Sequence, residues 1–196
     1  MPQKLLVGDK DTVLLIPAFE INGIPQMALP STATALPISA PTTALLNYYI
    51  PATTPANAAA RWGGNITCAV LDDWKLEMKD SSTKVVKTLC SIGNAAELTY
   101  YNYDAQLNVL RDIDPFDVTS EFNLPLHLMN APDVAYVIAH RIGFSRTAAA
   151  AIGQEWLFYY VWTDHAIPNV ADGDYQSLGE SFVTKGLINF KYILAA

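Results

Sequence analysis

Three stretches of the chain alternate apolar and polar residues with a period of two, the spacing that turns every second side chain of a β-strand toward a core. In Trp74–Lys79, Trp74, Leu76 and Met78 alternate with Lys75, Glu77 and Lys79. In Ala105–Val109, Ala105, Leu107 and Val109 alternate with Gln106 and Asn108. Within the final stretch Phe182–Leu194, Ile188, Phe190 and Tyr192 oppose Asn189 and Lys191. That stretch reads as one strand, or two joined at Gly186. Val134–Phe144 and Glu155–Asp164 are instead apolar on both faces and predict buried strands, the second a central one. Thr12–Phe19 is β-rich but carries Pro17, which predicts an edge strand or a strand broken at its end. Val85–Leu89 continues the Trp74 strand across an Asp80–Lys84 turn as a hairpin, and Asp72-Asp73 fits a two-residue turn between strands. Residues 165–181 read as a loop turning at Asp172-Gly173. Asn123 followed by Pro125 predicts a short helix over Leu124–Met129, closed by Asn130 and Pro132. The sum is about eight strands, one short helix and a long remainder. This is a mainly-β chain, a β-sandwich or partly open barrel.

The remainder is the stretch before Gly64. Between Thr12 and Leu71 only Glu20 and Arg61 are charged, in sixty residues. Seven of the twelve prolines lie between Pro17 and Pro55, and each fixes φ and removes a donor. A structureless loop of this length is improbable inside a compact domain, and the composition is too apolar for ordinary disorder. The expectation is an ordered arm whose apolar residues Leu36, Ile38, Leu45, Leu46, Tyr48, Tyr49 and Ile50 contact another subunit or ring. Residues 1–64 thus read as an N-terminal strand plus arm, and 65–196 as the β-sandwich, within one structural domain.

Composition narrows the function. The chain has 196 residues, half of them hydrophobic, and a formal charge of −7. An acidic chain gains nothing from neutralising phosphates, so nucleic-acid binding is disfavoured. Cys68 and Cys90 have no metal-binding or redox spacing and read as free thiols. His127, His140 and His165 have no ligand spacing to each other or to the cysteines, so no metal or cofactor is expected. No nucleophile elbow, phosphate loop, dinucleotide fingerprint or zinc-protease signature is present, which argues against an enzyme. Asp164-His165 reads as a turn cap and His140-Arg141 as a solvated rim. Lys75, Lys79, Lys84 and Lys87 form a basic cluster mixed with Glu77, a normal solvent face. No apolar run is long enough for a membrane-spanning helix.

The order of features from Asn65 to Ala196 resembles the major tail proteins, the tail tube subunits, of long-tailed siphovirus-type phages. The resemblance rests on Thr88, Cys90, Gly93 and Asn94 in a turn, then on Tyr103, Leu107, Arg111, Asp112 and Asp114. It continues through Tyr136–Gly143, Gly153–Val161 and Lys185–Leu194. It implies a β-sandwich with a flanking helix, six copies closing a ring through a continuous β-barrel, and rings stacked into a tube that conducts DNA during ejection. Implied partners are further copies, a tape measure protein and the tail terminator and distal tail proteins. The resemblance further implies that phage DNA passes without specific binding and that the location is the virion tail after synthesis in the host cytoplasm. An acidic lumen would repel phosphate, and Glu77, Asp80 and Asp104 are the candidate lumen-facing carboxylates. Competing readings are a capsid decoration or tail-completion protein, or a carbohydrate-binding β-sandwich using Trp62, Trp74 and the tyrosines.

Overall fold

The computed structural model describes residues 11–29, 34–78, 82–86, 95–100, 103–169 and 176–194. Strand Asp11–Ile21 (β1) turns into Ile24–Leu29 (β2), followed by Thr34–Pro37 (β3). Helices Thr43–Tyr49 (α1) and Pro55–Ala58 (α2) lead to the short strand Gly64–Asn65 (β4). Lys75–Met78 (β5), Ser82–Val86 (β6), Ala95–Tyr100 (β7) and Tyr103–Leu110 (β8) come next. A 3-10 turn at Glu121–Asn123 runs into helix Leu124–Met129 (α3). Ala135–Ile142 (β9), Glu155–Trp162 (β10), Ile167–Asn169 (β11), Ser177–Ser181 (β12) and Val183–Ile193 (β13) complete the order.

The strands form a seven-stranded sheet in the order β13-β10-β9-β1-β2-β3, with β4 also on β1. A four-stranded sheet runs β11-β12-β8-β5. Among the described residues β6 and β7 pair with each other alone, and their register continues that of the β5–β8 pair. All pairings are antiparallel, and the mainly-β expectation holds. The strand count is higher than the periodicity suggested. Part of the excess lies in residues 165–181, expected as loop, where β11 and β12 form.

β1 is central, not an edge. Its first half pairs with β9 on one side and, at Leu14 and Leu15, with β4 on the other. Its second half, from Ala18, pairs with β2. Pro17 falls where that second side passes from β4 to β2, so the residue lacking an N–H stands at a gap in the ladder. The β1–β2 turn is Asn22-Gly23, with φ of 53° and 75°, the left-handed pair that a tight hairpin requires.

β1 is apolar on both faces because both are covered. Val13 and Leu15 join Ile138, Tyr159 and Val161 against Tyr103, Ala105, Leu107 and Val109 of the small sheet. Leu14 and Ile16 join Val137, Ala139, Trp156, Phe158 and Tyr160 on the other face, against α1 and Met27. The large sheet curls round α1 until Asn189 Nδ2 of β13 donates to the carbonyl of Ile38, just past β3, at 3.0 Å. The result is a sandwich whose larger sheet is itself a partly closed barrel plugged by a helix.

This corrects the extended arm. Leu45, Leu46 and Tyr49 are fully buried in the chain's own core, Ile38 and Ile50 nearly so, and Leu36 and Tyr48 are half-buried. The first five have no surface left for a neighbour. The prolines punctuate helices in place of preventing them. Pro41 precedes Thr42, whose Oγ1 caps α1 by accepting from Leu45 N at 3.3 Å. Pro55 is the first residue of α2, capped by Thr54. The solvated-rim reading of His140-Arg141 is also overturned, since both are buried. α3 has the expected bounds, but Asn123 does not cap it. Its side chain donates to the Asp114 and Asp117 carbonyls at 2.7 and 2.9 Å.

Candidate functional site: the polar face of the small sheet

β8 alternates strictly, with Tyr103, Ala105, Leu107 and Val109 buried and Asp104, Gln106, Asn108 and Leu110 half-exposed. Its neighbours continue both faces. Gln106 lies opposite Lys75 of β5 and Ser181 of β12, and Asn108 opposite Gly179. Glu77 lies directly opposite Asp104. The outward face therefore presents Lys75, Glu77, Asp104, Gln106, Asn108, Leu110, Ile167, Asn169, Ser177, Gly179 and Ser181. Short polar groups and carboxylates form most of it, Leu110 and the exposed Ile167 are its apolar members, and aromatic side chains are absent from that set. Asn108 Nδ2 donates to Asp73 Oδ2 at 2.7 Å, tying the Asp72-Asp73 turn to the rim of this face. A Cβ at Gly179 would stand 3.1 Å from Asn108 Oδ1, so glycine there leaves Asn108 its place.

Two of the three expected lumen carboxylates, Glu77 and Asp104, thus share one face, while Asp80 lies outside the described residues. The inward face is locked to the large sheet. Trp74 meets the His140 ring edge-on at 4.7 Å. Tyr103 OH donates to the carbonyl of Tyr160, and Tyr159 OH to that of Leu76 at 3.4 Å. His140 Nε2 stands 3.6 Å from Asp11 Oδ1, and burial holds its pKa below the usual histidine value. Among the described residues both ends of this sheet are open strands, with β5 paired to β8 and β11 to β12.

Exposed apolar side chains mark a second kind of surface, which the sequence reading missed. Phe19, Ile21 and Ile24 share one face of the β1–β2 hairpin by register and are exposed. Asn22-Gly23 between apolar residues was the available signal. Trp62 is 74% exposed and held at φ 56°, left-handed for a bulky residue, at the C-terminal end of α2. Of the two tryptophans proposed for sugar stacking only this one is accessible, since Trp74 is half-buried against His140. Ile113 and Phe116 are 96% and 84% exposed on a loop braced by aspartate turns. There Asp112 accepts from Asp114 N and Ser120 Oγ, Asp114 from Phe116 N, and Asp117 from Thr119. These bonds hold the Asp112 and Asp117 carboxyls below the usual carboxylate range.

Among the described residues no group of three or more His, Cys, Asp or Glu is placed to hold a metal ion. Cys68 is a free, half-buried thiol raised in pKa by burial, and Cys90 lies outside the described residues. His165 is exposed and its backbone N–H donates to Asp164, as a turn cap. No described helix is long and apolar enough to cross a membrane.

The described residues thus form an antiparallel, mainly-β protein with one largely polar sheet face. Family comparison makes this specific. The phage tail tube protein family matches residues 38–196, and the chain belongs to that family. It is a structural component of a phage tail. Comparison with curated protein sequences gives no match.

Proposed function

We propose that this chain is the tail tube subunit of a long-tailed phage, that six copies close a ring, and that stacked rings form the conduit for DNA ejection. The observation that carries this is the small sheet, apolar within, largely polar and carboxylate-bearing without, and, among the described residues, open at β5 and β11. Joining β5 of one copy to β11 of the next satisfies both edges and continues the sheet around an axis. An open edge left in solution invites uncontrolled pairing, and closure removes it. The contact is heterologous, since two different edges meet, and a heterologous contact that closes makes a ring. Glu77 and Asp104 then face the bore with the short polar groups. A bore of that kind repels phosphate and offers bases no ring to stack on, so DNA slides. The exposed apolar groups at Phe19, Ile21, Ile24 and Phe116 replace the expected arm as contacts between copies. Tape measure, terminator and distal tail proteins would meet the tube's bore and ends.

Native mass spectrometry and negative-stain microscopy of the purified protein test this reading. Hexamers, rings or tubes are expected. A protein that stays monomeric at high concentration, with no tubes at any pH or salt, contradicts it.

A further inference from the structure

Glu180 lies on the inward face of β12 and is 1% exposed. Its Oε1 accepts from the backbone N–H of Asp164 at 2.8 Å, while its Oε2 is buried with no hydrogen-bond partner among the described residues. Asp164 opens the connection from β10 of the large sheet into β11, so this one bond ties the edge strand's lead-in to β12. β11 has three residues, and its ladder partner is β12. The carboxyl has no compensating cation among the described residues packed on it. β8 sets Leu107 opposite, and β12 adds Leu178 before it, with Phe182 just after. The Asp164 carboxylate repels it. His165, next along, is exposed, and the Arg111 backbone pairs at Gln176, four residues away.

We infer that Glu180 is a protonation-dependent latch, holding edge strand β11 in place when neutral and releasing it when ionised. A neutral carboxyl fits a dry site with one acceptor used. An anion there has a single N–H and a neighbouring negative charge, and swinging out to water would break the Asp164 tie. Burial pushes this carboxyl up to about 7, against the Asp164 N–H, which favours the anion, and with a smaller upward push from the Asp164 carboxylate. The ordinary glutamate value applies once it swings out, so the closed state binds more protons between that value and neutrality. Closure is strongest below the ordinary value and weakens as pH rises through about 7. Since β11 is one of the two edges in the proposed ring joint, ring formation weakens in the same direction. That consequence rests on the proposed function, whereas the latch itself does not.

Hydrogen exchange over residues 163–181 of the full chain tests it, normalised for intrinsic rates at pH 5 and pH 8. Wild type should lose at least tenfold protection at the higher pH, and Glu180→Gln, neutral at both, should not. Equal pH dependence in the two proteins, or constant protection in wild type, overturns the latch. If the variant fails to fold, carbon-detected titration of Glu180 in wild type decides. A midpoint near 7 supports the latch, and one in the ordinary glutamate range overturns it. Wild type that never assembles while the exchange result holds defeats the tube reading and leaves the latch standing.

Discussion

Gly63 shows how little room single residues have where the segments cross. A Cβ there would stand 2.4 Å from the Leu15 carbonyl oxygen and 2.6 Å from Pro17 Cδ. Both belong to the central strand, which cannot yield. Gly63→Ala should therefore cost about 3 kcal/mol or prevent folding, read by chemical denaturation. Gly153→Ala is the contrast, with φ 85° but nothing within 4 Å, and should cost only about 1 kcal/mol. Arg141 is the other residue on which much converges. Its guanidinium is fully buried with no carboxylate partner among the described residues, and that burial lowers its pKa to about 10. It donates to the carbonyls of Ser145, Ala148 and Ala149, to Gln154 Oε1 and to Thr12 Oγ1. It also lies over the Trp156 ring at 4.8 Å. A lysine cannot reproduce the planar fork or the stacking, so Arg141→Lys should lose about 2–4 kcal/mol of stability. A loss under about 0.5 kcal/mol would show that the loop 145–154 does not depend on it.

Elements that announce themselves by periodicity were legible, and those that depend on a partner were not. β8 has one wet and one dry face, so its residues alternate and it is read from sequence alone. β9 and β10 are buried on both faces and read as apolar runs. α1 lacks such a signal, since its seven residues are too few for a period and the prolines that flank it, Pro41 and Pro51, look like breakers. They stand just outside its caps, Thr42 and Ile50, and only the tertiary packing of Leu45, Leu46 and Tyr49 makes so short a helix worthwhile. β11 and β12 were lost because Glu180, a carboxylate on the inward face, disguises the alternation. The packing of α1 into the core decides what a deletion does. Removing residues 30–55 strips the large sheet of its cover and should leave no cooperative unfolding transition, whereas a mere arm would leave the domain folded. Leu45→Ala alone should cost about 2–5 kcal/mol. The β1–β2 hairpin face behaves oppositely. Replacing Phe19, Ile21 and Ile24 together by Ser should change monomer stability little while weakening association, measured by sedimentation. Unchanged association would remove this face from the contacts between copies.

At the scale of the whole molecule the chain has two kinds of surface, and the candidate site was half visible. Glu77 and Asp104 were named as carboxylates for a bore, but only the register shows them opposite one another on a sheet with Gln106 and Asn108. The apolar contacts were assigned to residues that the chain buries within itself. Charge ties the scales together. With a formal charge of −7 per chain, copies repel at long range, so association needs apolar contact and edge pairing at short range. Reversing the face with Glu77→Lys and Asp104→Lys should leave the fold intact and make assembled tubes retain DNA at low salt, releasing it as salt rises. The most direct single measurement is an electron cryomicroscopy reconstruction of the assembled protein. The account expects a ring in which β5 of each copy pairs with β11 of the next and Glu77, Asp104, Gln106 and Asn108 line the channel. A tube with that face on its outer wall, or with β5 and β11 unpaired between copies, would contradict it.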